Sequence, residues 1–258
     1  MSVDYYGYRK KFAVLVPSTN TAVEQEYHRM CPEGVALATR GCLIPPFKVT
    51  NEDEFVAMVK AIGDATEQGL RDCFTCLPDH VIFGYSAETF WDGKGRSDRE
   101  FQKYNDIAKS EANCEITFGA QAIMDALKCY AGVKRIGVVS PYMPVGDAQV
   151  VKFMADIGYE VVRVKGHCSP GPVDIAYETS GATRQLVKEV DGDDVDLILQ
   201  AGTNMYFVEL AAQLEKELGK PVLAINAITF WHALRANGIH DKIRGFGSLL
   251  EEHIELPA

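Results

Sequence analysis

Short polar turns that follow apolar strands carry the side chains best suited to bind or attack a small anion. The first is Val16-Pro17-Ser18-Thr19-Asn20-Thr21-Ala22-Val23-Glu24, where an apolar strand ends and polar residues precede a predicted helix. Its hydroxyls and amide, with the free N–H groups of the helix start, could hold a carboxylate without Lys or Arg. It could equally be an N-cap, with Asn20 or Thr21 capping and Glu24 completing a capping box. Both functions are compatible.

Two further turns have the same form, and a tyrosine follows a fourth strand. Tyr85-Ser86-Ala87 and Gly202-Thr203-Asn204 each follow an apolar run, and Tyr142 follows Ser140-Pro141. Because parallel strands present their carboxyl ends on one side of a sheet, we predict that Asn20, Ser86, Tyr142 and Thr203 converge on one cleft. The candidate catalytic residues are Ser86, Tyr142 and Thr203. The candidate substrate-binding residues are Ser18, Asn20, Tyr85, Ala87, Gly202 and Asn204.

Motifs for metals and cofactors are weak or absent. Cys73 and Cys76 form a single C-x-x-C at a predicted helix end, for which packing is the favoured interpretation. The six histidines lack metal-ligand spacing, and His167-Cys168 is interpreted as a surface pair. The sequence has no G-x-G-x-x-G or P-loop pattern, so we predict neither a metal nor a cofactor.

Composition excludes several classes of partner. The chain of 258 residues has a net charge of −10, which disfavours nucleic acids and anionic membranes. No apolar run approaches the roughly 20 residues that cross a bilayer. Residues 1–11 do not resemble a signal peptide, and seven irregularly spaced cysteines suit a reducing compartment, so we expect a cytoplasmic protein.

Apolar runs alternate with amphipathic segments, a pattern typical of βαβ units around parallel sheets. The predicted strands are 12–16, 35–39, 80–85, 135–140, 160–164, 195–200 and 221–225. The predicted helices are 52–71, 120–129, 147–157, 183–190, 207–218 and 227–237, with Gly219 and Gly238 as C-terminal caps.

The chain also repeats itself. Residues 12–18 and 136–142 are both apolar strands that stop at a proline beside a hydroxyl residue. We therefore expect an α/β protein of two similar halves with parallel sheets. Residues 1–118 and the returning C-terminal segment 227–258 form the first half, and residues 119–226 form the second.

These motifs together resemble the maleate cis–trans isomerases. Residues 16–24, Ser140-Pro141-Tyr142, Gly202-Thr203-Asn204 and the segment 230–239 resemble motifs of that group, in order along the chain. Phe90-Trp91-Asp92-Gly93 is similar to a motif of the related arylmalonate decarboxylases. The resemblance points to the aspartate/glutamate racemase superfamily. It implies two Rossmann-like (flavodoxin-like) halves related by a pseudo-two-fold axis, a cofactor-free site between them and a homo-oligomer.

The superfamily usually places one catalytic cysteine in each half, and this sequence departs from that pattern. The two positions fall on Ser86 (or Tyr85, if the alignment slips by one) and on Gly202. Without the thiols, the usual racemase and isomerase chemistry is lost, whereas the carboxylate-holding residues remain. Restoring cysteines at Ser86 and Gly202 is expected to recreate a two-thiol site.

The sequence therefore predicts an enzyme acting on a small mono- or dicarboxylic acid through an enolate-like or acyl intermediate, by isomerisation, decarboxylation or hydrolysis. Ser86 is the candidate nucleophile, with Glu88 or His232 as a possible partner in space. The alternative is a catalytically silent carboxylate-binding protein. A titratable side chain with a perturbed pKa in the cleft would favour the enzyme.

Overall fold

The computed structural model describes residues 4–257, which form two four-stranded sheets with helices packed on them. From the N-terminus the elements are β1 Lys10–Pro17, α1 Ala22–Met30, β2 Val35–Cys42, α2 Glu52–Phe74, β3 His80–Phe83, α3 Ala87–Phe90, α4 Lys94–Ala112, β4 Glu115–Thr117 and α5 Gly119–Lys128. The remaining elements are β5 Arg135–Ser140, α6 Pro144–Asp156, β6 Glu160–Gly166, a 3₁₀ turn Asp174–Tyr177, α7 Ser180–Val190, β7 Leu197–Gln200, α8 Val208–Leu218, β8 Val222–Ala224, α9 Ile225–Ala236 and α10 Ser248–Glu252.

Both sheets are parallel throughout and share one strand order. The first runs β2-β1-β3-β4 and the second β6-β5-β7-β8. The central strands β1, β3, β5 and β7 are almost entirely buried, as expected for strands covered by helices on both faces. The predicted fold class, an α/β protein with two flavodoxin-like halves, is confirmed.

Sequence patterning found seven of the eight strands and missed three elements between β3 and α5: β4, α4 and the four-residue helix α3. Strand β4 has three residues, too few for a recognisable apolar run. Helix α4 is strongly polar and buries only Ser97, Tyr104, Asn105 and Ala108, so its apolar stripe is incomplete. The predicted glycine caps are present: Gly219 and Gly238 follow helices α8 and α9 with φ of +65° and +71°.

Helix α9 packs on the first half. It contacts α1, α5, β3 and β4. Two of its side chains hold the segment that follows: the Trp231 indole N–H donates to the His253 carbonyl at 2.6 Å, and Arg235 donates to the Ile239 carbonyl at 2.6 Å. Helix α5 contacts α9, α3 and α4.

A buried carboxylate ties the two halves together. Glu26 of α1 accepts hydrogen bonds from the backbone N–H groups of Phe207 and Val208, at 2.8 and 2.9 Å, at the start of α8. Its other oxygen accepts from the Asn226 amide at 2.7 Å. Burial raises the pKa of Glu26, and these three donors oppose that effect. The contact therefore fixes α1 against α8 and α9.

None of the helices in the described range is long and apolar enough to cross a membrane.

Candidate active site

A small cleft lies between the halves at the carboxyl ends of the central strands. Its cavity volume is about 50 Å³, with room for a few water molecules. Eight of the nine residues predicted for the site line this cavity: Asn20, Tyr85, Ser86, Ala87, Tyr142, Gly202, Thr203 and Asn204. The ninth, Ser18, is exposed and exchanges hydrogen bonds with the backbone of Ile44 instead.

Three hydrogen-bond donors from both halves meet at one point in the cleft. The Ser86 hydroxyl of the first half lies 2.8 Å from the Tyr142 hydroxyl of the second. The backbone N–H of Gly202 donates to Ser86 Oγ at 3.2 Å. We call Ser86, Tyr142 and the Gly202 N–H the donor cluster. These groups hydrogen-bond to one another in the structure. A substrate oxygen anion that enters the cleft can take the place of one of these hydrogen bonds.

The Tyr142 hydroxyl remains protonated, so it can donate a hydrogen bond. Its ring packs edge-on against Phe55, with ring centroids 5.5 Å apart, and burial raises the pKa of its hydroxyl well above the ordinary value. The hydrogen bond to Ser86 opposes that rise only in part. Tyr142 is therefore a neutral phenol throughout the physiological pH range.

Ser86 has no basic partner that would activate it as a nucleophile. The expectation that His232 reaches it is wrong: His232 Nδ1 lies 2.9 Å from Thr117 Oγ1, and its Nε2 lies 3.4 Å from the Asp125 carboxylate. Glu88 makes no hydrogen bond to Ser86 either. Ser86 is thus placed to donate or accept a hydrogen bond, without a group to remove its proton.

Thr203 and Asn20 join the two halves beneath the cleft. The Thr203 hydroxyl donates to the Gly84 carbonyl at 2.9 Å and accepts from the Asn20 amide at 3.2 Å. Its side-chain hydroxyl is therefore already engaged on both sides. This arrangement suits a positioning function better than direct catalysis.

The start of helix α1 does not supply free N–H groups to a ligand, contrary to the sequence-based expectation. Asn20 Oδ1 accepts from the N–H groups of Ala22 and Val23 at 3.0 and 3.1 Å. Asn204 Oδ1 accepts from those of Thr21 and Ala22 at 2.8 and 3.2 Å. The turn is therefore an N-cap, shared between the two halves.

The capping box expected with Glu24 does not form. Thr21, at the N-cap position, makes no side-chain cap, and Glu24 instead faces His28 at 4.0 Å.

A side chain at Gly202 would displace its neighbours. Its φ of +100° lies in the region that glycine tolerates best, and a Cβ there would lie 2.3 and 2.5 Å from Cδ and Cγ of Pro141. The expectation that cysteine can simply be restored at this position is therefore wrong. The ring of Pro141 fills the space that its side chain would need.

No cysteine lines the cleft. Cys73 is fully buried, Cys76 donates to the Cys73 carbonyl at 3.2 Å, and Cys168 is exposed. No cluster of three or more potential metal ligands occurs among residues 4–257. Burial raises the pKa of most of the thiols, Cys73 to about 12.

The interpretation of His167 as a surface residue is wrong, since its side chain is only 7% exposed and lies 3.1 Å from Glu178.

Glu88 is the titratable group that the site residues predicted from the sequence did not include. It lines the cleft, both of its carboxyl oxygens are buried, and burial raises its pKa to about 8. Sequence reasoning named it only as a possible partner for Ser86, because nothing in Ser-Ala-Glu-Thr reveals that the side chain turns inward. The apolar wall of the cleft was also missed: Ile44, Met58, Ile62, Pro172 and Ile175.

Comparison with known proteins finds relatives of this chain in sequence and in structure. No protein-family model matches the sequence. The chain is 25% identical to a maleate isomerase of Pseudomonas putida over 247 residues, covering 92% of this chain and 95% of that protein. It is 23% identical to the arylmalonate decarboxylase of Bordetella bronchiseptica over 217 residues, covering 77% and 86%.

Solved structures agree with these matches. A maleate cis–trans isomerase of Nocardia farcinica, carrying a covalently bound succinylcysteine intermediate, matches with a TM-score of 0.85 at 18% identity, covering 94% of this chain and 98% of that one. A maleate isomerase of Pseudomonas putida with maleate matches with a TM-score of 0.83 at 21% identity, covering 93% and 97%. These matches support the predicted resemblance to the maleate isomerase and arylmalonate decarboxylase branch of the aspartate/glutamate racemase superfamily. The predicted resemblance is confirmed.

Proposed function

We propose that this protein is a cofactor-independent enzyme that acts on a small mono- or dicarboxylic acid through an enolate-like anion. The observation that carries the proposal is the donor cluster, in which Ser86 Oγ lies 2.8 Å from Tyr142 Oη and 3.2 Å from the Gly202 nitrogen. Hydrogen-bond donors fixed in a dry cleft stabilise negative charge that develops on a substrate oxygen. The relatives are by name a maleate isomerase and an arylmalonate decarboxylase, which supports an enzyme that acts on a small carboxylic acid here.

In this proposal the donor cluster binds the carboxylate whose oxygens take up the charge. Tyr142 donates a hydrogen bond, because its raised pKa keeps the hydroxyl protonated, and Gly202 donates its backbone N–H. Ser86 donates its hydroxyl proton and does not attack the substrate, since no base contacts it. The apolar wall holds the remainder of a small substrate and excludes water.

The reaction class that fits this cleft is a decarboxylation or a proton transfer next to the carboxylate. One relative forms a covalent adduct through cysteine. Cysteine is absent from the lining of this cleft, and Ser86 lacks a base, so a covalent route is disfavoured. Loss of CO₂ or of an α-proton needs only a stabilised enolate and a proton carrier, and the cleft contains both a donor cluster and the titratable Glu88.

Turnover of defined acids by the purified protein tests the proposal. Malonate, methylmalonate, phenylmalonate and maleate are incubated with enzyme in D₂O, and products are followed by NMR. We expect product, or deuterium at the α-carbon, from at least one of these acids. Binding of an acid with no product or exchange would instead establish the silent carboxylate-binding protein.

Ser86→Ala then assigns the role of the serine. Loss of one hydrogen bond to a charged group costs about 1.5–3 kcal/mol, which corresponds to a roughly ten- to hundredfold loss of kcat/KM. Loss of a nucleophile would abolish turnover almost completely. Ser110→Ala, an exposed change in helix α4, is the matched control and should leave the rate unaltered. A rate unchanged in Ser86→Ala would remove Ser86 from the donor cluster.

A further inference from the structure

Glu88 is a buried acid that the fold leaves without a partner. It is the second residue of helix α3 and follows Ser86 by two positions. Neither carboxyl oxygen has a hydrogen-bond partner among residues 4–257, although both are buried. Burying a polar group without a partner is unfavourable, and such groups are rare in folded proteins. An apolar residue would be more stable here, so the carboxyl is retained for something other than stability.

Glu88 lies in the wall between two cavities. One is the cleft described above. The other, of about 390 Å³, lies between α2 and α4, and only Tyr85 and Glu88 line both. Its charged rim reaches solvent, since the side chains of Lys60 and Lys103 are 73% and 50% exposed. Glu88 thus lies between the cleft and a second cavity whose charged rim is open to water.

We infer that Glu88 delivers a proton to the substrate carbon in the cleft and regains one from water in the second cavity. The inference rests on the proposed function and adds the residue and the proton path. The electron pair of the enolate C=C forms the new C–H bond. The Glu88 O–H bond breaks, and its electron pair stays on the carboxylate. A water molecule in the second cavity then protonates Glu88 and leaves hydroxide in solvent, which CO₂ consumes as bicarbonate when the reaction is a decarboxylation.

Burial keeps Glu88 protonated at neutral pH. It is the main cause of the raised pKa of about 8, and the backbone N–H of Glu88 and then Arg96 of α4 oppose it in part. Neutral groups border it: Cys42, Tyr85, Tyr104 and Tyr142. The other charged groups around the second cavity carry both signs: Lys60, Asp64, Glu100 and Lys103.

Helices α5 and α6 also pack on α3, and one carboxylate of each contacts groups other than Glu88. Asp147 of α6 binds the Ser140 hydroxyl at 2.5 Å. Asp125 of α5 pairs with Lys128 at 2.8 Å and faces His232.

Glu88→Gln and Glu88→Met remove the proton while keeping the size of the side chain. We measure turnover of the acid identified above, or of phenylmalonate if several react, with Glu189→Gln as a control on the exposed face of α7. General acid–base catalysis contributes about 10²–10⁴-fold, so kcat should fall by that factor while KM stays within about tenfold. Glu88→Asp should retain part of the rate. A kcat within about threefold of wild type in either folded Gln or Met variant would overturn the inference.

A spectroscopic measurement keeps this test separate from the proposed function. The carbonyl stretch of a protonated carboxylic acid is recorded by infrared difference spectroscopy of wild type minus Glu88→Gln at pH 7, with and without malonate. We expect the band, and we expect malonate to shift it. No band, or a band unmoved by bound malonate, would overturn the role of Glu88 even where no acid is turned over. An enzyme that turns over acid at full rate without Glu88 would overturn this inference and leave the proposed function standing.

Gly63→Leu tests the solvent side of the path. A Cβ at Gly63, which lines the second cavity, meets no atom within 4 Å, so leucine can grow into that space. We expect kcat to fall severalfold at an unchanged KM, because water reaches Glu88 less readily. An unchanged kcat would place the proton path elsewhere.

Discussion

The most direct test of the site geometry is a methyl group placed on Gly202. Gly202 has a φ of +100°, and an added Cβ would lie 2.3 Å from Pro141 Cδ, far inside van der Waals contact. Pro141 follows strand β5 and directly precedes Tyr142, so any displacement of its ring also moves the donor cluster. Gly202→Ala should therefore reduce both stability and ligand binding.

The magnitude follows from two separable effects. A left-handed backbone at a residue with a Cβ costs roughly 1–2 kcal/mol. Overpacking of a filled site costs a further 1–3 kcal/mol or so. We expect Gly202→Ala to lower the free energy of unfolding by about 2–5 kcal/mol, and Gly202→Cys by at least as much.

Urea unfolding of matched variants measures the two effects independently. Gly219→Ala has a φ of +65° and open space around its Cβ, so it reports the backbone cost alone. Pro141→Ala removes the ring atoms that clash and, combined with Gly202→Ala, should recover about 1–3 kcal/mol as a coupling energy. If Gly202→Ala destabilises no more than Gly219→Ala and shows no coupling to Pro141, the steric reasoning is refuted.

Three further predictions follow from the contacts above. Asn204→Ala should lower the free energy of unfolding by about 2–4 kcal/mol, because it leaves the Thr21 and Ala22 N–H groups without their acceptor and the Pro172 carbonyl without its donor; Asn204→Asp keeps the acceptor but places an oxygen against the Pro172 carbonyl, so it should recover only part of that loss in urea unfolding. Replacing Cys73, Cys76 or Cys168 by serine should leave kcat and KM of the folded enzyme unchanged; a folded variant with lost turnover would place a thiol in the mechanism. Wild type should lose stability relative to Glu88→Gln between about pH 5 and pH 8, by on the order of a few kcal/mol, because the folded state keeps the Glu88 proton up to about pH 8 whereas an unfolded glutamate releases it near 4.5; a pH-independent difference in urea unfolding would contradict the raised pKa.

Much of the fold was predictable because its strands are easy to recognise in the sequence. Buried parallel strands are continuous apolar runs, and seven of them were placed within a few residues of their observed bounds. The convergence of Asn20, Ser86, Tyr142 and Thr203 on one cleft was also predicted from topology, since parallel strands of each half end on the same side. Polar residues immediately after such strands are therefore good candidates for a site.

The remainder depended on side-chain directions and on contacts distant in sequence. Asn204 caps a helix that begins about 180 residues earlier, which no local pattern records. Ser18 belongs to the right turn but faces away from the cleft. Glu88 is one acidic residue in a short helix, and only the three-dimensional structure shows that its carboxyl is buried between two cavities.

The proposed stabilisation of an anion uses no lysine or arginine, since none lines the cleft, and it depends on the arrangement of the two halves. Ser86 comes from one half, and Tyr142 and the Gly202 N–H come from the other, so the donor cluster exists only while the halves are held together. Glu26, Asn204 and Thr203 provide that connection through hydrogen bonds that cross between the halves. The donors are therefore fixed before any substrate arrives and need little reorganisation as charge develops. Neutral donors and a protonated Glu88 make the cleft locally favourable to an anion, even though the chain as a whole is negative.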